Sequence, residues 1–271
     1  MKAVWKALAG VAITATIMST AGAATLSNIS LNLPGGNTVS SVDYLDFSGK
    51  SYVVNTATTG QNFNFTENGV FFISGRNGSP LGIGGQLTAN YTGGTGTGSF
   101  GTGQIGFNAG GVLDIYYNPT NTFDSTGATA ANRNGATTGT KIASFTQLAG
   151  GSGSINPDGT PTSNGTLTLL FQATSFMDGV WLDSNGNNLM AGLTLGFVTS
   201  NASQDISDIN ATYRETLSGS PSTVNAAPDH FFVKNGGQLA FETADVPEPA
   251  SLAIFGAGLI GLAALRRRKS K

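Results

Sequence analysis

The side chains that most often carry enzymatic chemistry are scarce in this sequence. Its 271 residues include no cysteine and one histidine, His230. The lack of cysteine excludes disulfides, thiolate metal sites and cysteine nucleophiles. A catalytic triad would need His230 beside an activated serine, and no Gly-x-Ser-x-Gly motif is present. We therefore expect a protein that is not an enzyme and that uses no cofactor.

Carboxylates are the remaining acid–base candidates, because two of them at a suitable separation can hydrolyse a glycosidic bond. Three pairs lie close together in the sequence: Asp43 and Asp46, Asp178 and Asp183, and Asp205 and Asp208. None lies in a recognisable signature, so turn formation or solubility is the simpler interpretation. A polysaccharide-active hydrolase remains an alternative function.

Oxygen ligands alternate at Asp183, Asn185 and Asn187, as they do in calcium-binding loops. The segment lacks the glycine and the glutamate of an EF-hand, and its Asn-Gly pair equally predicts a β-turn. These three residues are therefore only a weak calcium candidate, and we predict no metal site. A calcium-dependent surface structural module is the second alternative function.

Aromatic side chains could stack on sugar rings. The candidates are Tyr91, Tyr116, Tyr117, Trp181 and Tyr213. In a β domain most such residues belong to the core, and Tyr116 and Tyr117 should point to opposite faces of a strand.

The N-terminal segment, residues 1–23, is typical of a signal peptide. Lys2 and Lys6 precede an apolar run over 7–18, and Ala21 and Ala23 form an Ala-x-Ala cleavage site. This order of charge, apolar stretch and small residues is typical of secretory signals. We expect cleavage after Ala23 and export of the remainder.

The last 26 residues, 246–271, show a second three-part arrangement. Pro247, Glu248 and Pro249 precede an apolar, uncharged stretch over 250–265, and Arg266, Arg267 and Arg268 follow. Sixteen helical residues span about 24 Å, slightly less than the hydrocarbon core of a membrane. We predict a short transmembrane helix whose basic end stays in the cytoplasm.

These residues together resemble the PEP-CTERM sorting signal. The resemblance implies that an exosortase recognises and removes the tail, so the membrane is a transient partner through the helix. It also implies an inner-membrane intermediate, followed by the cell surface or extracellular matrix of a Gram-negative bacterium that makes exopolysaccharide.

The body, residues 24–245, keeps six basic and 14 acidic residues, a formal net charge of −8. This balance argues against a nucleic-acid partner, which requires a basic surface. About 220 residues are within the size of a single β domain, and we expect one domain here.

Apolar and polar residues alternate with period two along the body, which predicts β-strands. The predicted strands are 61–66, 70–73, 85–91, 104–107, 112–117, 165–173, 180–182, 193–198, 230–233 and 238–241. We predict an all-β, antiparallel β-sandwich or jelly-roll-like domain. A β-helix competes with it, although no fixed repeat is present.

Turn signals divide these strands. The Asn- and Gly-rich segments 67–69, 108–111 and 234–237 predict three β-hairpins. Two low-complexity stretches, 93–103 and 120–139, predict long flexible loops.

The body also resembles the flocculation-associated PEP-CTERM proteins, through 63–71, 150–153 with 164–169, and 231–238. This resemblance implies a role in holding cells within exopolysaccharide flocs or biofilm, with exopolysaccharide as the partner. It brings no site residues to this chain.

Overall fold

The computed structural model describes residues 25–123, 135–156, 162, 165–204 and 230–242. Every regular element within these ranges is a β-strand, and every strand pair is antiparallel. The predicted all-β antiparallel class is thus confirmed. The strands are β1 (Ile29–Leu33), β2 (Asn37–Val42), β3 (Leu45–Ala57), β4 (Asn62–Arg76), β5 (Ser79–Pro80), β6 (Gln86–Ser99), β7 (Gln104–Phe107), β8 (Val112–Asn118), β9 (Thr140–Gln147), β10 (Ser152–Ser154), β11 (Gly165–Phe176), β12 (Trp181–Leu182), β13 (Thr194–Gln204) and β14 (His230–Glu242).

The main sheet closes on itself. Its strands follow the order β6-β8-β9-β11-β13-β14-β3-β4, and β4 pairs again with β6. The eight strands form one barrel-like ring, in which the two layers expected of a sandwich are continuous with each other. Closure leaves these eight strands no free edge.

Two pairs of strands act as single interrupted strands. β7 and β8 both pair with β6, and β9 and β10 both pair with β11. β7 also pairs with β10, just as β8 pairs with β9. The ring therefore keeps eight strands along its length. The hairpin predicted at 108–111 is wrong, because this segment interrupts one strand line instead of reversing the chain.

The other two predicted hairpins are also wrong. Residues 67–69 lie inside β4, and 234–237 lie inside β14. The pairing of β4 with β6 shifts register between Glu67 and Gly69. Long strands in a closed sheet must bend, and glycine or a bulge supplies the bend. The Asn-Gly pairs that suggest turns locally therefore lie within continuous strands.

The first predicted flexible loop is mostly a strand, since 93–99 belongs to β6. A Cβ atom added to Gly94, Gly96 or Gly98 would overlap the ring of Tyr91, Phe65 or Phe63 respectively. The glycines thus provide space for aromatic side chains inside the closed sheet. The second predicted loop, 120–139, lies partly outside the described residues, and its described parts contain no strand.

A three-stranded sheet of β12, β1 and β2 covers one end of the closed sheet, the end at which β8, β11 and β14 terminate. We call it the capped end. Trp181 is fully buried there, its Nε1 donates to the carbonyl oxygen of Ile142 at 3.0 Å, and its ring meets that of Phe241. Asn37 Nδ2 donates to Tyr117 Oη at 2.9 Å. The opposite, distal end is where β3 and β6 finish and β4 and β7 begin.

Alanine at Gly96 tests the packing role of these glycines. The new methyl group would collide with Phe65 and with the carbonyl oxygen of Gly106, so we expect G96A to lower the free energy of unfolding by about 2 kcal/mol. G196A is the matched control, because its Cβ would meet only the Ala240 carbonyl oxygen at 3.8 Å. Urea denaturation of both variants measures the difference, and equal stabilities would contradict this packing role.

Candidate functional surface

The residues of the two sorting predictions lie outside the described ranges. This holds for Ala21 and Ala23, for Pro247, Glu248 and Pro249, and for Arg266, Arg267 and Arg268. The predicted helix over 250–265 lies outside them as well. Among the described residues, no helix has the length and apolar character required to cross a membrane.

The described acidic pairs are engaged in hydrogen bonds of turns. Asp43 Oδ1 accepts from the Asn28 amide and Asp46 Oδ2 from the Gly78 amide, each at 2.9 Å. Asp178 Oδ1 accepts from the side-chain amide of Asn188. The pair Asp205 and Asp208 lies outside the described residues. These bonds tie the carboxylates of Asp43, Asp46 and Asp178 to neighbouring backbone or side-chain amides.

The calcium candidate forms a compact turn. Asp183 Oδ1 accepts from the backbone amides of Asn185 and Asn187, both at 2.8 Å, and these bonds lower the pKa of its exposed carboxyl. Within the described residues, no group of three or more His, Asp or Glu side chains could hold a metal ion.

The aromatic candidates for sugar stacking are mainly core residues. Tyr91, Tyr117 and Trp181 are buried. Tyr116 is half-buried on the opposite face from Tyr117, as the alternation predicted, and Tyr213 lies outside the described residues.

A layer of polar side chains crosses the interior of the closed sheet. It comprises Ser51, Glu67, Tyr91, Gln147 and Asn235, each from a different strand and each buried. Asn235 Nδ2 donates to Ser51 Oγ at 2.9 Å, and Tyr91 Oη donates to Gln147 Oε1. Sequence reasoning missed this layer because Glu67 and Asn235 lie in the segments that suggest turns.

Glu67 is the carboxyl group of this layer. Burial raises the pKa of its carboxyl to about 7, while a hydrogen bond with Ser51 acts in the opposite direction. Burial, reinforced by the nearby Glu67, also raises the pKa of Tyr91. Glu67 faces a small interior cavity of about 30 Å³, otherwise lined mainly by apolar side chains such as Val53, Phe65 and Leu167. The side chain of Glu67 is thus on the inner side of the closed sheet.

The outer surface near the distal end is built from uncharged amides and hydroxyls. We call this surface the amide–hydroxyl face; its residues are Thr56, Asn62, Asn64, Thr66, Thr95, Thr97, Ser99 and Gln104. Most of these residues are exposed, and Thr95 and Ser99 are half-exposed. The segments that carry them, 51–66 and 92–113, contain no charged residue. Such a surface can both donate and accept hydrogen bonds without attracting ions.

A concavity of about 560 Å³ lies on this face. Its polar lining includes Asn62, Asn64, Thr97 and Gln104. Its volume is within the range of sites that bind small molecules.

Comparison with known proteins identifies one family feature. Residues 245–269 match the PEP-CTERM protein-sorting motif, which confirms the resemblance drawn from Pro247, Glu248, Pro249 and the basic end. The chain carries this motif, and the motif implies an exported protein that exosortase sorts to the cell envelope or surface. No curated protein and no solved structure matches the chain.

The buried carboxyl of Glu67 predicts a characteristic pH dependence of stability. In the unfolded chain the group loses its proton near pH 4.5, whereas the folded protein retains it until about pH 7. The free energy of unfolding should therefore fall by about 3 kcal/mol from pH 4.5 to 7 and then level off.

The variant E67Q removes this titration while keeping the shape of the side chain. Urea denaturation between pH 4 and 8 should show that the wild-type protein loses stability relative to E67Q as pH rises through this interval. Parallel curves for the two proteins would show that Glu67 is not protonated at neutral pH in the folded state.

Proposed function

We propose that this protein is a non-enzymatic matrix or adhesion protein that associates with exopolysaccharide in biofilm or flocs. The sorting motif over 245–269 is the observation that carries this proposal, because it implies export and processing by exosortase. The resemblance of the body to flocculation-associated proteins supports the same role.

The chemistry of the amide–hydroxyl face supports association with a polysaccharide. A hydroxyl-rich polymer offers many donors and acceptors, which the exposed amides of Asn62 and Asn64 and the hydroxyl of Thr97 can pair. Each contact is weak, but a polymer that engages many protein copies gains avidity. This uncharged face is suited to contact a polysaccharide through hydrogen bonds, although the body as a whole is acidic.

The placement of the acidic groups supports a role without catalysis. Asp43, Asp46 and Asp178 form turn hydrogen bonds, and Glu67 is buried. A glycosidase needs two carboxylates flanking a bond of the bound substrate. The described carboxylates are better explained by structural roles.

Processing of the tail is tested at the mature C-terminus. Mass spectrometry of protein collected outside the cells should find a chain that ends near Pro247–Pro249. The apolar stretch and Arg266–Arg268 should be missing. Extracellular protein that still carries these arginines would contradict exosortase processing.

The matrix role is tested by two strains, one without the gene and one without residues 247–271 of the product. Both should make polysaccharide at the parental level, yet their cells should stay dispersed because the protein is absent from the matrix. Settling assays and polysaccharide assays measure the two effects, and the restored full-length gene is the control. Normal flocculation in both strains would contradict the proposed role.

A further inference from the structure

We propose that the concavity on the amide–hydroxyl face binds a short uncharged segment of a glycan chain. This inference rests on the proposed association with exopolysaccharide and assigns that association to a defined site. It names neutral sugar residues as the ligand class.

Two rows of register partners cross β4, β6 and β7 and form the walls of the site. One row joins Asn62, Ser99 and Gln104. The next row joins Asn64, Thr97 and Gly106. Side chains of neighbouring strands are spaced by about 4.8 Å and successive same-face positions by about 7 Å. The rows therefore present amide and hydroxyl groups as a regular lattice.

The site is deep at Gly106 because glycine has no side chain. Gly106 occupies the third position of the second row, so this row has no side chain where the concavity is formed. Gly98 and Ile105 also line it. Gly98 and Ile105 are register partners whose side-chain positions face the interior, so the outward groups of the site are amides and hydroxyls. The space above Gly106, between the amides of Asn64 and Gln104, can admit a sugar ring, whose edge hydroxyl groups pair with amides.

The charge pattern selects a neutral ligand. The two segments that build the walls, 51–66 and 92–113, contain no Lys, Arg, Asp or Glu, and the formal charge of the body is −8. A uronate or sulfate group would find no partner of opposite charge among these residues and would be repelled by the body as a whole. Neutral sugars incur neither cost.

Gly106 offers a way to fill the site without disturbing the fold. A Cβ added there would meet only the Gly151 carbonyl oxygen, at 3.9 Å. A phenylalanine should therefore extend outward over the concavity. Gly196 is the matched control, since it also lies between two paired strands and its Cβ would meet only Ala240, at 3.8 Å. It lies on β13, outside the amide–hydroxyl face.

The experiment compares G106F and G196F by affinity electrophoresis. Protein collected outside cells that express the full-length gene is run in gels containing the host's own exopolysaccharide, dextran, galactomannan or alginate. Thermal unfolding verifies that each variant is folded. Should G106F not fold, the double variant N64A/Q104A replaces it. We expect the host polymer and a neutral polymer to retard the wild-type protein and G196F equally, independent of salt concentration.

For G106F, or for N64A/Q104A, the apparent Kd should rise at least tenfold. Equal retardation of this variant and the wild-type protein by the host polymer would overturn the site while leaving the proposed function intact. Retardation by alginate alone, lost at high salt, would overturn the neutral ligand class. If no polymer retards the wild-type protein, the proposed polysaccharide association itself fails.

Discussion

The pairing of β4 with β6 is the constraint on which the described structure depends, because it closes the ring. These strands pair from Asn62 with Ser99 to Ile73 with Leu87, across the single register shift near Glu67 and Gly69. A closed sheet satisfies the backbone groups of its strands without edges. It also forces strands of 11 to 15 residues to coil, and coiling of this length needs bends.

The glycine content follows from this closure. Glycines on β6 leave room inside the closed sheet, and the aromatic side chains of Tyr91, Phe65 and Phe63 fill this space. The interior then packs aromatic side chains against one another, for example Phe47 against Phe71 and Phe197. The burial of these rings, together with that of the aliphatic core residues, stabilises the fold. The glycine-rich composition of 93–103, which suggests a flexible loop, therefore allows aromatic side chains to pack inside the sheet.

The closed sheet also separates two kinds of polar chemistry. Inside, Glu67, Ser51 and Asn235 belong to a buried polar layer. Outside, the amide–hydroxyl face presents uncharged groups at regular spacing. Strand alternation produces this division, because neighbours such as Thr66 and Glu67 point to opposite sides. Among the described strand residues, a partner outside the sheet can therefore contact the outward-facing set.

The sorting tail and the class of the body both follow from the amino-acid sequence. A tail is recognised by linear features, here Pro247–Pro249, an apolar stretch and a basic end, so it can be identified without a fold. Period-two alternation likewise predicted strands such as 165–173, because side-chain direction in a strand depends only on local geometry. The strand pairing and the burial of Glu67 depend on the three-dimensional fold. So does the position of 67–69 and 234–237, which lie within strands and do not reverse the chain. An Asn-Gly pair is compatible with a turn or a bend, and partners distant in sequence select between them. The concavity could not be predicted from the sequence either, because Asn64, Thr97 and Gly106 come together only through the non-local pairing of β4, β6 and β7.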